Sequence, residues 1–382
     1  MAYNWHMKSL AVYIHWPYCR KKCPYCDFNS HVSDSVDHGA WRDAYKDEID
    51  YYNNLIGDRH VTSIFFGGGT PSLMESQTVA HVIDHIQSVW NLSNDCEITL
   101  EANPTSIEAQ KFQDFRNAGI NRVSVGVQSL RDDQLQFLGR EHSAREALIA
   151  LDIANNVFDR VSFDLIYARP DQTLDEWQDE LSEALKHAKG HLSLYQLTIE
   201  DGTQFKTLRD SGRLIELDND RAADMYDMTH AMMNDAGLPA YEISNYARAG
   251  QESRHNLAYW RYQDYVGIGP GAHGRLTLQN GDKVATRTHK APDIWMKHVR
   301  EQGHGAKPFE TLDKNTQIQE QIMMGLRLRE GIHANIVPDH TDIKDLIDNG
   351  FLDRMDNRVF VPIQHWPILD SILAKILLAS NA

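Results

Sequence analysis

Six short β-rich runs, each followed by a stretch of helical periodicity, constrain this chain more than any other feature. The runs are LAVYIH (10–15), VTSIFF (61–66), EITLE (97–101), RVSVGV (122–127), VSFDLI (161–166) and LSLYQLTI (192–199). Between them, residues 76–90 place Val79, Val82, Ile83, Ile86, Val89 and Trp90 on one helical face, the spacing by threes and fours of a helix with one buried side. Residues 107–118 repeat the pattern with Ile107, Phe112 and Phe115, and Gly119 follows as a helix stop. Further helices are predicted over 173–188 and 218–236, the second ending at Gly237. Strand then helix, six times over, predicts an α/β fold with a parallel sheet.

A doubly wound open sheet competes with a curved, incomplete (β/α)6 TIM-like barrel. The barrel is preferred because of where the unusual residues fall. Gly67-Gly68-Gly69 follows the second run, Glu101 ends the third, Gln128 follows the fourth, Asp164 lies in the fifth and Thr198 near the end of the sixth. Barrel enzymes build their sites at the C-terminal ends of the strands, where these residues would converge.

After about residue 240 the rhythm stops. Residues 1–244 are therefore expected to form the barrel, and 245–310, rich in Gly, His and aromatics, an irregular extension. Residues 311–382 read as a small, mainly helical, winged-helix-like domain. There QIMMGLRLR and IKDLIDNGF precede a strand pair in DRMDNRVFVPI and a closing helix, ILDSILAKIL.

The balance of 38 Lys plus Arg against 54 Asp plus Glu gives a net charge of −16. Such a field works against nucleic acid and anionic membranes as partners. No apolar run is long enough for a transmembrane segment, and the N-terminus lacks the basic, apolar and small-residue regions of a secretory leader. The expected compartment is the cytoplasm, where thiols stay reduced.

Three of the four cysteines fall within eight residues, as Cys19-Arg-Lys-Lys-Cys23-Pro-Tyr-Cys26. Clustered thiols in a reducing compartment are metal ligands or redox groups. Cys96, seventy residues on, reads as a small buried hydrophobe. If it is not a ligand, an iron–sulfur cluster on the triplet keeps one iron open for substrate chemistry. The plainer alternative is a structural zinc site completed by His15 or His31. Arg20, Lys21 and Lys22 between the ligands read as a solvated loop face.

The C-x3-C-x2-C motif after a first strand, with Tyr25 before its last cysteine, resembles the radical S-adenosylmethionine superfamily. Tyr13-Ile-His-Trp-Pro, Cys-Pro-Tyr-Cys-Asp-Phe-Asn, Gly-Gly-Gly-Thr-Pro-Ser at 67–72, Glu101-Ala-Asn-Pro and Gly126-Val-Gln-Ser are similar to the branch that holds oxygen-independent coproporphyrinogen III oxidase and the heme chaperones. The likeness runs from about residue 10 to beyond residue 275.

The resemblance implies a [4Fe–4S] cluster on Cys19, Cys23 and Cys26 whose open iron chelates S-adenosylmethionine, with reductive cleavage to methionine and a 5′-deoxyadenosyl radical. It assigns Gly67, Gly68, Gly69 and Thr70 to the methionine end, where a plain tight turn is the alternative. Glu101, Gln128, Arg140 and Asp164 match S-adenosylmethionine contacts, Tyr13 and Tyr25 flank the cluster or adenine, and Thr198 is a weaker candidate.

His255-Asn-Leu-Ala-Tyr259-Trp260 matches the H-N-x-x-Y-W motif of the heme-chaperone branch. An imidazole can ligate heme iron and aromatics can cover the macrocycle. With 19 histidines in the chain, a hydrogen-bonded core histidine is the competing reading, and His273 is a second ligand candidate. The partners implied are heme, heme-accepting proteins and an electron donor such as a flavodoxin-like or ferredoxin-like protein. A homodimer is left open. Phe28 stands where the oxidase pattern has a further cysteine, so coproporphyrinogen oxidase activity is expected to be absent.

Overall fold

The computed structural model describes residues 9–33 and 35–379. Part of the leader reading rests on residues 1–8, and the Ile107 side chain was assigned to a helix face; both lie outside the described residues.

The six predicted runs are strands: β1 Ser9–Trp16, β2 His60–Gly68, β3 Asn91–Ala102, β4 Arg122–Gln128, β5 Arg160–Tyr167 and β6 His191–Gln196. They are parallel and neighbour one another in chain order, the outcome expected when each crossover carries a helix. Along β1, Leu10, Val12, Ile14 and Trp16 are buried beneath α1 (His38–Ile56), with the Trp16 ring 5.2 Å from Trp41. Each such aliphatic side chain contributes about 1.5–3 kcal/mol on burial. The alternate row, Ala11, Tyr13 and His15, faces the interior of the curved sheet.

The outer helices start where the sequence supplies caps. Among the outer helices α2 (Ser76–Val89), α3 (Ala144–Val157), α4 (Leu174–Leu185) and α5 (Asn219–Asp235), α3 and α4 open with a capping box, Ser143 with Glu146 and Thr173 with Glu176. The helix predicted over 107–118 is instead two short ones, Ser106–Ala109 and Phe112–Asn117. The first of them turns the buried Glu108 carboxylate onto Ser72 and the Asn103 N–H. Gly119 follows the second at φ +107°, as a helix stop should.

The stretch expected to be irregular is not. Strands β7 Ala240–Glu242 and β8 Asn245–Ala247 close one edge of the sheet, and β9 Tyr265–Ile268, β10 His273–Thr277, β11 Lys283–Arg287 and β12 Glu310–Thr311 extend the other. The result is one twelve-stranded sheet in which β9 lies parallel beside β1. Glu48 of α1 fastens this extension, accepting from Gly269 N (2.7 Å), Gly305 N (2.8 Å) and Trp295 Nε1 (3.0 Å). Burial pushes the Glu48 carboxyl up to about 7 against those three donors.

The sheet does not close, so the barrel is incomplete, as expected. Beyond it, helices Lys314–Gly325, Thr341–Asp348 and Leu369–Ala379 pack with a three-stranded antiparallel sheet that contains the predicted pair, Asp353–Met355 and Arg358–Phe360. Among the described residues no helix is long and apolar enough to cross a membrane.

Candidate functional site

The cysteine loop leaves the C-terminal end of β1. The peptide after β2 ties it down: Gly69 N donates to Trp16 O (2.7 Å) and Thr70 N to Tyr18 O (2.9 Å). This closeness requires glycine, because a Cβ on Gly69 would sit 2.7 Å from the Tyr18 carbonyl and one on Gly68 2.5 Å from the His15 ring. Gly68 also has φ +113°, a conformation that side chains rarely adopt. The glycine run is thus at least a packing requirement, and its Gly68 N–H meets Glu101 Oε2 at 3.1 Å.

A relay of polar groups joins two of the cysteines. Thr70 Oγ1 donates to Cys19 Sγ (3.4 Å), and Asn103 Nδ2 donates to Thr70 Oγ1 (3.2 Å). Arg140 Nη2 donates to Asn103 Oδ1 (2.6 Å) and Gly126 O (2.8 Å), while Nη1 lies 3.6 Å from Cys23 Sγ. The buried Arg140 Nε has no partner among the described residues, a donor kept for something else. Asn103 was not singled out from the sequence. The available signal was its place in Glu101-Ala-Asn-Pro, where Pro104 holds the preceding residue extended.

Burial raises the Cys19 and Cys26 thiols; Cys23 adds to the rise at Cys19, and Cys23 and Cys19 add to it at Cys26. The Thr70 and Ser30 hydroxyls and then Arg140 oppose that rise at Cys19, and the Phe28 backbone N–H and then Lys22 oppose it at Cys26. Three thiols sharing one electrostatic neighbourhood beside a guanidinium suit a thiolate-bound, negatively charged cluster. Cys96 is elsewhere: it lies five residues before Glu101 on β3, about 16 Å along the strand, buried with its thiol pushed up to about 12 by burial.

Of the two histidines that could complete a zinc site, His31 has a buried Nε2 without a hydrogen-bond partner among the described residues. Among the described residues no three His, Cys, Asp or Glu side chains form a ready single-ion site. His15, moreover, spends both ring nitrogens, on Tyr13 OH (3.1 Å) and Asn29 O (2.9 Å). A polynuclear cluster spreads its thiolates over several irons, so it does not need them gathered around one point.

Glu101 and Asp164 face each other across the mouth, both enclosed by protein while keeping some surface open to it. Burial, and then the Asp164 charge, pushes Glu101 up to about 8, with the Gly68 N–H opposing. Asp164 is pushed up to about 6 by burial, opposed by the Ser193 hydroxyl, the Arg122 guanidinium and the Ser124 hydroxyl; Ser124 Oγ lies 3.3 Å from Oδ1. Two crowded carboxyls favour a cationic ligand.

Gln128 stands at φ +73°, an unusual value for a side-chain-bearing residue. A Cβ on Gly126 would lie 3.0 Å from Gln128 Nε2 and 3.6 Å from Arg140 Nη2, so Gln128 and Arg140 share that wall. Tyr13 is partly buried beside Glu101, and Tyr25 lies against Cys23 and Arg140, each phenol raised chiefly by its enclosure in protein. Thr198 is exposed just after β6 and donates to Gln196 O (3.4 Å).

The H-N-x-x-Y-W motif forms the short helix α6, Arg254–Trp260, and it lies below the site. His255 is 2% exposed, with Nδ1 2.9 Å from Ser63 Oγ and Nε2 2.8 Å from Tyr259 OH. Its ring stacks on Phe65 at 4.9 Å. Burial holds the imidazole down to about 3. Trp260 hydrogen-bonds Glu242. The core-histidine reading therefore describes His255 in this structure, and neither of its nitrogens is turned to an incoming iron. His273 is exposed at the same end of the sheet as the cysteine loop, near enough to His15 to influence its charge.

Residues 13–184 match the family described as the radical SAM superfamily. Heme chaperone HemW of Haemophilus influenzae is 38% identical over 344 residues, 88% of this chain and 87% of that protein. The radical S-adenosyl methionine domain-containing protein 1, mitochondrial, of Bos taurus is 44% identical over 385 residues, 96% and 87% of the two chains. Among solved structures, coproporphyrinogen III oxidase (HemN) from Escherichia coli superimposes with a TM-score of 0.79 at 22% identity, covering 98% of this chain and 90% of that one. At that identity the likeness is one of fold.

Proposed function

Because this chain belongs to the radical SAM superfamily, in the family of the HemW heme chaperones, we propose that it cleaves S-adenosylmethionine reductively and binds heme for delivery to acceptor proteins. The observation that carries the reading is the convergence at one mouth of the cysteine triplet, the Thr70–Asn103–Arg140 relay and the Glu101–Asp164 pair. When bound on Cys19, Cys23 and Cys26, a [4Fe–4S] cluster supplies the electron that breaks a carbon–sulfur bond.

The chain's own residues bind and orient. Arg140, with Gln128 beside it, offers its unpartnered Nε–H to the methionine carboxylate. Glu101 and Asp164 hold the cationic end and the ribose hydroxyls. The Gly67–Thr70 turn lets backbone approach the methionine amino group, and Tyr13 and Tyr25 keep water from the mouth. The exposed cations Arg20, Lys21 and Lys22, beside the ligands, offer an acidic flavodoxin-like or ferredoxin-like electron donor a docking point in a protein of charge −16. The compartment on this reading is the cytoplasm, although the animal relatives are named as mitochondrial.

The test is anaerobic reconstitution with iron and sulfide, a reductant and S-adenosylmethionine. Parallel assays follow 5′-deoxyadenosine, heme binding and coproporphyrinogen III turnover. The expected result is cleavage and heme binding without decarboxylation. At Phe28, 56% exposed on the cysteine loop, a phenyl ring replaces the thiol of the oxidase pattern and neither donates hydrogen nor binds metal. Multiple turnovers to protoporphyrinogen IX would establish the oxidase instead.

A further inference from the structure

Helix α6 has two distinct sides. His255 and Tyr259, one turn apart, point into the barrel, where the imidazole is satisfied at both nitrogens. Arg254, Leu257, Ala258 and Arg261 follow at spacings of three, four and seven, so they share a different face. That face lines a cavity of about 950 Å³ at the N-terminal end of the parallel strands, which also takes in His60 at the start of β2 and Leu328, Arg329 and Met355 beyond the barrel. At its far end it meets a second cavity of about 520 Å³, sharing Arg261, Gln263, Leu328 and Glu330 with it.

Size and charge narrow the ligand. Pockets for drug-sized ligands run to roughly 300–1,000 Å³, and a porphyrin belongs at the upper end of that range. The cavity beside Cys23, about 40 Å³, cannot take one. The large groove combines apolar walls with three arginines, Arg254, Arg261 and Arg329, and three carboxylates, Asp95, Glu252 and Glu330. Arg254 pairs with Asp95 (2.7 Å) and Arg261 with Glu330 (2.9 Å), whereas exposed Arg329 makes no side-chain ion pair among the described residues. An unpaired guanidinium over an apolar floor suits a flat molecule that carries carboxylates at its edge.

We propose that heme binds in this groove, at the opposite mouth of the barrel from the cysteine loop, and that the H-N-x-x-Y-W motif serves it by positioning the outer face of α6 rather than by giving His255 to the iron. This placement rests on the heme binding proposed above. It gives the motif a physical task that its buried, saturated histidine can perform.

The test titrates hemin into the full-length, anaerobically reconstituted protein and follows the absorption spectrum. The iron and sulfide content of each variant checks that it has folded. Arg329→Glu reverses the free charge and Leu257→Trp fills the groove. Each is expected to weaken heme binding about tenfold or more, the scale of one lost charge-assisted contact. Two variants whose affinity matches the parent would overturn the groove site, as would a loss confined to His273→Ala. A parent protein that binds no heme would instead remove the chaperone reading, and this placement with it.

Discussion

Arg140 meets three partners at once, Cys23, Asn103 and the Gly126 carbonyl, so the cluster loop and the strand ends are held by one guanidinium. At the residue scale the cysteines come first. Replacing Cys19, Cys23 or Cys26 by Ser should each abolish the cluster and 5′-deoxyadenosine formation, while Cys96→Ser leaves both, measured as iron, sulfide and nucleoside product. Cluster loss in Cys96→Ser would contradict its place about 16 Å down the strand. Glu101→Ala and Asp164→Ala should keep the cluster but weaken S-adenosylmethionine binding by about 1.5–3 kcal/mol, the worth of a charge-assisted hydrogen bond. Calorimetric titration decides it, and unchanged affinity in both variants would remove them from the site. These positions were legible because strand-end residues in a parallel sheet point at one mouth. Asn103 was not: its part depends on Thr70 and Arg140, which lie 33 and 37 residues away along the chain.

Among the elements, α6 depends on a single carboxylate. Glu97 accepts from Ser253 Oγ (3.3 Å), Arg254 N (3.2 Å) and His255 N (3.2 Å), and pairs with Arg160 at 2.7 Å. Glu97→Ala should destabilise the protein by about 3–5 kcal/mol, because it strands a largely buried guanidinium along with three donors. Denaturant unfolding measures this, and a loss below 1 kcal/mol would show that α6 is held otherwise. The same region shows where sequence reading stops. A histidine inside a recognised motif is legible as important, but what saturates it is Ser63, 192 residues distant. The four-residue strand β9, YVGI, is too short to show a period and is bracketed by turn residues. It becomes a strand by pairing with β1, a tertiary fact that no local pattern carries.

For the whole molecule, buried groups of both signs set a stability optimum. His15, His142 and His230 are held down to about 4 and His255 to about 3, each first by burial. Their contribution is complete above the unfolded histidine value of about 6.5 and is lost as pH falls through the folded values. Asp164 is raised to about 6, Glu48 and Glu242 to about 7 and Glu101 to about 8, again by burial. Their contribution is complete below the unfolded carboxylate range and is lost as pH rises through the folded values. Between about pH 4.5 and 6.5 the two sets oppose each other, and above 6.5 the carboxylates act alone. The apoprotein should therefore melt lower at pH 8.5 than at pH 6.5, and Glu101→Gln should flatten that decline. A melting temperature still rising to pH 8.5 would count against the buried carboxylates.

The cysteine loop springs from β1, which is the fifth of twelve strands from the β12 edge and is flanked on both sides by hydrogen-bonded neighbours. Its backbone partners and its aromatic cover are all protein. The strand from which the loop springs is thus anchored through the protein's own backbone hydrogen bonds, unlike the small metallodomains whose fold is built on the metal itself. Iron and sulfide delivered to this loop would meet a strand already clasped on both sides.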